Sequence, residues 1–240
     1  MASKRSQPYQ PLLLRILHGI TSLFAIAAIV TAFWTYDIYD GRWGRIYLPK
    51  YTEIEGIHGT FGLWTLLIFP LFVFYAFNRG QHRLIDSNSL VKLAEFGKPI
   101  WWYTLHRLVN TVSILALTLA VFSGKMMNEK WLPEGELNHV WYYVHLVGWL
   151  ILVICIAIHL LMNIKVGGVS LILSMFNWRF RSEDSPKLWR RNFSIWRDRF
   201  GMSTVKQWLQ SRSLLKIIEI FVLVAIILAW IVSLLKELLF

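Results

Sequence analysis

Residues 140–162 of this chain read VWYYVHLVGWLILVICIAIHLLM, and they contain no Asp, Glu, Lys or Arg. A helix of about 20 apolar residues is long enough to cross the hydrocarbon core of a bilayer. A lone segment in lipid must satisfy its own backbone hydrogen bonds, and a helix does so. The stretch therefore predicts a transmembrane helix that carries two histidines, His145 and His159.

The spacing of these two histidines indicates a function. Fourteen residues separate them, which at 100° per residue is about 40° short of four full turns, so both face nearly the same way. The rise between them is about 21 Å at 1.5 Å per residue, which places one in each leaflet. Ionisable side chains inside a membrane are rare and costly. Two metal centres stacked across the membrane would need this arrangement.

The composition of the whole chain agrees with a membrane protein. Of 240 residues, 56% are hydrophobic and only 16% are charged, which is too apolar for an ordinary soluble domain. The net charge is +11, but the basic residues lie beside apolar runs. Anionic lipid headgroups are therefore the expected counterpart of this charge, and nucleic acid is not expected as a partner.

Five apolar runs are long enough to span the membrane, and they predict an all-α transmembrane helical bundle. The first run follows a polar N-terminus and lacks a small-residue cleavage motif, so we interpret it as a retained span. The predicted spans are Leu12–Trp34, Ile57–Phe77, Leu105–Phe122, Val140–Met162 and Leu214–Leu235.

Flanking charges orient the predicted spans. The segments 1–15, 78–104 and 164–213 have an excess of basic residues, whereas the connections 35–56 and 125–138 each have one more acidic than basic residue. The positive-inside rule then predicts a cytoplasmic N-terminus and a C-terminus on the opposite side. The expected location is a bacterial inner membrane or a thylakoid-type membrane.

Span order predicts which histidines share a depth. His18 and His159 lie near the cytoplasmic ends of the first and fourth spans, and His58 and His145 near the opposite ends of the second and fourth. A bis-histidine haem needs one imidazole from each of two helices. We therefore expect His18 with His159, and His58 with His145.

His106 opens the third span at about the depth of His18 and His159. Three roles are open for it: an axial ligand, a donor to a haem propionate, or a residue of a quinone site. A single buried histidine can also be an interhelical hydrogen bond. Four histidines that match in pairs by depth are harder to explain in that way.

Other candidates have simpler interpretations. His82 lies in a polar connection and is expected to be exposed, and His139 lies at the edge of the fourth span. The only cysteine, Cys155, excludes an internal disulfide, a Cys-ligated iron–sulfur site and covalent haem attachment, and we interpret it as packing. Arg15, one turn outward of His18, and Lys165, just past His159, are candidate partners of haem propionates.

Four pieces of the sequence form a pattern by their order and spacing: Arg15-Ile16-Leu17-His18-Gly19, His58-Gly59-Thr60-Phe61-Gly62, Leu105-His106-Arg107, and the pair His145 and His159 followed by Asn163 and Lys165. Through these pieces, residues 10–168 resemble the bacterial cytochrome b561 and nickel-hydrogenase cytochrome b family. Gly19 departs from the tryptophan that the family often has after its first histidine.

The resemblance implies two b-type haems with bis-histidine ligation in a four-helix core, and the fifth transmembrane helix is additional to the four spans of these cytochromes. The family's ligand pattern falls on the same four histidines that depth selects: His18, His58, His145 and His159. The resemblance also implies quinone-linked electron transfer, often as the membrane anchor of a redox enzyme. It would place His106 near the quinone.

We divide the chain into a four-span di-haem core at 1–168, a basic aromatic segment at 169–213 and an additional helix at 214–240. The basic stretch 164–213 is either a docking surface for a soluble redox partner or an interfacial segment on anionic lipid, and we favour lipid. On the fifth span, Lys216 and Glu219 are expected to form an interfacial ion pair, and this span could pack against a partner protein.

Three functions are consistent with these features. The leading hypothesis is a di-haem b-type cytochrome that transfers electrons across the membrane, with possible quinol oxidoreductase activity. The second is a non-catalytic anchor or assembly subunit of a larger redox complex. The third is a haem-free, proton-coupled transporter.

Overall fold

The computed structural model describes residues 8–199 and 213–239, and within these ranges it contains helices and no strands. The prediction of an all-α protein is confirmed. Two 3₁₀ turns lie at Gln81–Arg83 and Ser182–Asp184. The α-helices are α1 (Leu12–Tyr39), α2 (Ile54–Asn78), α3 (Ser89–Leu93), α4 (Pro99–Met126), α5 (Val140–Ser174), α6 (Pro186–Arg199) and α7 (Leu214–Leu239).

Five of these helices, α1, α2, α4, α5 and α7, are long and apolar enough to cross a membrane, which confirms the predicted number of spans. Each helix extends beyond the predicted apolar run at one or both ends. The third span, for example, begins at Pro99 and includes Trp101 and Trp102. Proline suits the first turn of a helix, and tryptophan suits the membrane–water boundary.

A glycine interrupts α5 six residues after Met162, the last residue of the quoted stretch. At Gly168 the backbone has φ 70° and ψ −176°, which is not helical. Residues with a side chain rarely adopt a positive φ, so glycine permits this break. The span that carries His145 and His159 therefore ends before Gly168, and the chain changes direction as it leaves the bundle.

The bundle is built from two helical hairpins and a fifth helix. α1 packs on α2, and α4 packs on α5. α4 and α5 approach closely at Gly148, where an added Cβ would lie 3.4 Å from the backbone nitrogen of Ala120. The backbones of α1 and α5 come close at few points. Side chains, including the histidines, therefore occupy the space between these two helices.

The fifth span is part of the bundle, because one face of α7 packs against α2 and α4. These three helices share one hydrophobic cluster of buried side chains. The predicted pair of Lys216 and Glu219 forms an ion pair with an N–O distance of 2.6 Å. Glu219 is only 4% exposed, so neighbouring helices shield this pair. The cluster contains Leu66, Phe69, Val73, Ile114, Val222, Ile226 and Ala229.

Candidate functional site

His18 and His159 lie together at the end of the bundle where α1 begins. His18 is in the second turn of α1, and His159 lies in the second half of the membrane-spanning part of α5. The centres of their rings are 6.1 Å apart, and the ring planes differ by 29°. We call these two residues the N-side pair.

His58 and His145 lie together at the other end of the bundle. Each is in the first two turns of its helix, α2 or α5, and both helices begin at this end. Their ring centres are 5.9 Å apart, and the ring planes differ by 67°. We call these two residues the opposite-side pair. The packing of the helices thus brings together the same histidines that were predicted to lie at equal depths in the membrane.

Both separations fit two imidazoles on opposite faces of one metal ion. Metal–imidazole bonds are about 2 Å long, so the two ring centres lie about 6 Å apart. The described residues contain no group of three or more His, Cys, Asp or Glu that could hold a metal ion. Each pair therefore offers two protein ligands, which suits a metal whose other four ligands come from a planar macrocycle.

The hydrogen bond of His58 fixes which of its ring nitrogens is free. Its Nδ1 lies 3.1 Å from the carbonyl oxygen of Ala28 on α1. A carbonyl oxygen only accepts, so Nδ1 donates and Nε2 keeps its lone pair. Thr31 Oγ1 lies 3.4 Å from the same Nδ1. The opposite-side pair thus includes an imidazole oriented with a free nitrogen, as metal-ligating histidines usually are.

His145 is oriented by α4. Ser123 Oγ donates to the carbonyl oxygen of Leu119 at 2.6 Å and lies 3.0 Å from His145 Nδ1. Because the hydroxyl proton is already used, Ser123 accepts a hydrogen bond from Nδ1. The neighbouring Gly124 lets the ring lie against the helix, since an added Cβ would be 3.2 Å from His145 Cε1.

On the N side, His159 Nδ1 lies 2.8 Å from Asn110 Oδ1. This leaves His159 Nε2 free as well. The Nδ1 atom of His18 lies 3.3 Å from Ser22 Oγ, and its ring meets Phe72 edge-on with ring centres 5.7 Å apart. Three of the four paired histidines therefore have Nδ1 as the donor and Nε2 unprotonated, and contacts from α1 and α2 hold the fourth.

Three buried polar atoms on α1 and α4, the helices that carry His18 and His106, have no hydrogen-bond partner. These atoms are Arg15 Nε, Thr21 Oγ1 and His106 Nε2. Arg15 is 6% exposed, and its Nη2 donates to the carbonyl oxygen of Arg179 at 2.8 Å. Buried polar groups are normally satisfied. Such a set of unpartnered atoms fits a polar, anionic group between the helices, as the propionates of a haem would be.

Arg83 also belongs to this site, although no pattern in the sequence indicated it. It lies in the turn after α2, and its positive charge acts on both His18 and His106. Its guanidinium donates to Gln10 Oε1 at 2.6 Å. Within the part of the chain that the structure describes, neither Arg83 nor Arg15 has a carboxylate within 4 Å. Two cations thus adjoin the N-side pair.

His106 and Lys165, the other two residues predicted near this pair, have different surroundings. His106 is close to the pair, with its ring centre 5.6 Å from that of His159. Lys165 is exposed, and its Nζ lies 4.8 Å from the centre of the Trp102 ring. The structure brings His106 to the histidines and directs Lys165 to an aromatic ring at the membrane boundary.

An ion cluster holds the start of α4 beside His106. Arg107 donates to Asp86 Oδ2 at 2.8 Å and to the carbonyl oxygen of Leu84 at 2.6 Å. Burial alone would raise the pKa of the Asp86 carboxyl, but hydrogen bonds from Lys92, Arg107 and Ser89 outweigh burial and hold this pKa well below its usual range. The connection between α2 and α4 is thereby fixed against the N-side pair.

Besides His106, two histidines and the cysteine lie outside both pairs. His82 is exposed. His139 precedes α5, where it lies 3.1 Å from Glu136 and stacks on Trp131. Cys155 is buried and not in a disulfide. These positions agree with the predictions of an exposed histidine, a boundary histidine and a packing cysteine.

The comparisons with known proteins bear on the same region. The family model described as prokaryotic cytochrome b561 matches residues 9–178, which include both pairs and the surrounding polar residues. No curated protein and no solved structure matches the chain. The chain therefore belongs to the prokaryotic cytochrome b561 family, whose members are integral membrane proteins that bind haem b and transfer electrons across the bilayer.

Proposed function

We propose that this protein transfers electrons between the two membrane faces on two haem b groups. His18 and His159 would bind one haem, and His58 and His145 would bind the other. The observation that supports this proposal is the presence of two histidine pairs, with ring centres 6.1 Å and 5.9 Å apart, at opposite ends of one bundle.

The haem iron supplies one-electron redox chemistry, and the protein supplies ligation, orientation and electrostatics. His58, His145 and His159 offer Nε2 while Nδ1 donates to a neighbouring helix, as in the bond from His58 to Ala28. With both histidines of a pair as ligands, the haem would supply electron transfer rather than oxygen activation. The chain's residues therefore act by holding the iron in a fixed coordination.

The charges around the N-side pair support a haem with its propionates directed toward the end of the bundle where α1 begins. Arg15 and Arg83 would pair with these anions, because both adjoin the pair and lack a carboxylate partner among the described residues. Lys165 was predicted for the same role, but its contact with Trp102 leaves it a weaker candidate.

Exchange with a quinone is the second part of the proposal. His106 adjoins His159, and its buried Nε2 has no hydrogen-bond partner. A quinone carbonyl or a quinol hydroxyl would satisfy this atom at a short distance from the N-side haem. We therefore propose His106 as a quinone-site residue, in preference to an axial ligand.

We propose that the chain consists of a four-span di-haem core at 1–168, a basic aromatic segment at 169–213 and an additional helix at 214–240. The described part of the basic segment includes the end of α5 and the helix α6. Its helix α6 places exposed Phe193 near the exposed basic residues Lys187, Arg190 and Arg191. This combination fits an interfacial helix on anionic lipid.

A haem count on the purified protein tests the proposal. A pyridine haemochrome assay should give close to two haem b per chain. Alanine at His58 or His145 should remove one haem, and alanine at His18 or His159 should remove the other. His139→Ala is the matched control, because His139 lies outside both pairs and should leave two haems. A colourless protein would refute the proposal, as would loss of the same single haem in the His145 and His159 variants.

A second candidate is a non-catalytic anchor subunit of a larger redox complex. It is favoured by α6 and α7, which lie beyond the matched region 9–178. Extraction in mild detergent should then co-purify a soluble redox subunit, and this subunit should be lost when residues 175–213 are replaced by a neutral linker. The third possibility, a haem-free transporter, conflicts with the haem binding that family membership implies.

A further inference from the structure

The side chain of Asn110 joins two parts of the N-side site. Asn110 lies one turn after His106 on α4, and its Oδ1 is 2.8 Å from His159 Nδ1. Its Nδ2 donates to the carbonyl oxygen of Arg83 at 2.9 Å. One amide therefore contacts both a paired histidine and the turn that carries an arginine of the same site.

The two contacts fix the direction of each hydrogen bond. A carbonyl oxygen only accepts, so the amide nitrogen of Asn110 must face Arg83, and the amide oxygen must face His159. An amide oxygen also only accepts, so His159 Nδ1 carries the proton and donates. The tautomer of His159 is thus set by Asn110, and the tether to Arg83 keeps the amide from turning.

We infer that Asn110 is a positioning residue for the N-side haem and that it lowers the reduction potential of this haem. The inference rests on the proposed ligation by His159. A hydrogen bond from the free N–H of a ligating imidazole raises the basicity of the ligand. A more basic ligand stabilises ferric iron relative to ferrous iron, and second-sphere hydrogen bonding is one of the ways in which a protein sets a haem potential.

The opposite-side pair provides an internal comparison. There, His145 Nδ1 meets a serine hydroxyl, that of Ser123, and no side-chain amide. The contact to Asn110 therefore distinguishes the two sites, and a change at Asn110 should act on one haem only.

The test is an optical redox titration of the purified full-length protein with substitutions at Asn110. Asn110→Leu removes the acceptor and also the tether to Arg83, whereas Asn110→Asp keeps an acceptor oxygen and loses the donor. In Asn110→Leu, the reduction potential of the N-side haem, which is the haem that His159 variants lack, should rise. The ferric-to-ferrous ratio of this haem at fixed potential should fall about tenfold, which for one electron is a rise in potential of about 59 mV. In Asn110→Asp, this potential should be equal to or lower than that of the wild type. The other haem should not change in either variant.

Ser113→Ala is the matched control on α4, because Ser113 Oγ donates to the carbonyl oxygen of Val109, and both potentials should stay at the wild-type values. If Asn110→Leu loses the haem, retention of two haems in Asn110→Asp, at a potential no higher than wild type, still supports the inference. Wild-type potentials in Asn110→Leu would overturn it. Equal upward shifts in both variants, or loss of the haem from both, would also overturn it and would assign the effect to the tether. A wild-type protein without two haems would instead refute the proposed function.

Discussion

The site at the N-side pair contains a cation, Arg83, and a hydrogen-bond acceptor, Asn110, beside the two imidazoles of His18 and His159. The positive charge of Arg83 acts on both His18 and His106. It is half-buried and lies in the 3₁₀ turn after α2. Burial lowers the pKa of its guanidinium, but an arginine remains charged at neutral pH. Its charge therefore persists in the conditions under which the protein works.

Replacing Arg83 should change the potential of the N-side haem in the direction opposite to the loss of Asn110. A nearby positive charge disfavours the more positive ferric state, so Arg83→Gln should lower this potential. The expected change is roughly 1 kcal/mol, about 40 mV for one electron. Redox titration measures it, with the exposed Arg79→Gln as control. An unchanged potential would mean that Arg83 does not adjoin the haem.

Some residues of the site could be predicted from the sequence, and others could not. His145 and His159 lie in one helix, so helix periodicity predicted that they share a face. Their ligand role stays a prediction. Arg83 and Asn110 escaped prediction because their contacts depend on how the connection between α2 and α4 folds back. No periodic pattern in the sequence encodes that fold.

Among the elements, α6 differs most from the spans. It is a helix of 14 residues with few contacts to the bundle. The basic side chains Lys187, Arg190 and Arg191 are exposed, and Phe193 is 62% exposed. The sequence predicted an interfacial basic segment here but no helix. Arginines alternate with the aromatic residues, so the sequence shows no continuous apolar helix face.

The lipid environment should control the accessibility of α6. Each basic residue near an anionic surface contributes about 1 kcal/mol of binding. Tryptic cleavage after Arg190 and Arg191 should therefore be at least about tenfold slower in nanodiscs with anionic lipid than in nanodiscs with zwitterionic lipid. Mass spectrometry identifies the cut sites, and cleavage after Lys130 in the α4–α5 connection is the internal control.

High salt should remove most of this protection, because it screens charges at a surface. Equal cleavage rates in the two lipids would contradict an interfacial role and would favour the segment as a docking surface for a soluble partner.

Across the whole molecule, the order of five spans determines which polar segments share a membrane face. The sequence predicted the five spans because each is an apolar run of sufficient length. It did not predict that α7 would pack into the cluster with Phe69 and Ile114, since a uniformly apolar helix does not reveal which face is buried. The orientation of the bundle in the membrane stays a prediction from flanking charge.

Cysteine labelling with a membrane-impermeant maleimide tests this orientation in intact cells and in inverted vesicles. Ser182→Cys, before α6, should react only in inverted vesicles. Glu134→Cys, between α4 and α5, should react only in intact cells. The native Cys155 is buried within a span and serves as the background control. The reverse pattern would show that the N-terminus is not cytoplasmic.

One helix, α5, supplies a histidine to each pair, and the span between His145 and His159 is uninterrupted up to Gly168. The vertical separation of the two redox centres would then be set by the covalent rise of a single helix, about 21 Å. Changes in bilayer thickness, or shifts of the other helices, would alter this separation little. The length of the electron's path between the centres would thus be constant in membranes of different composition.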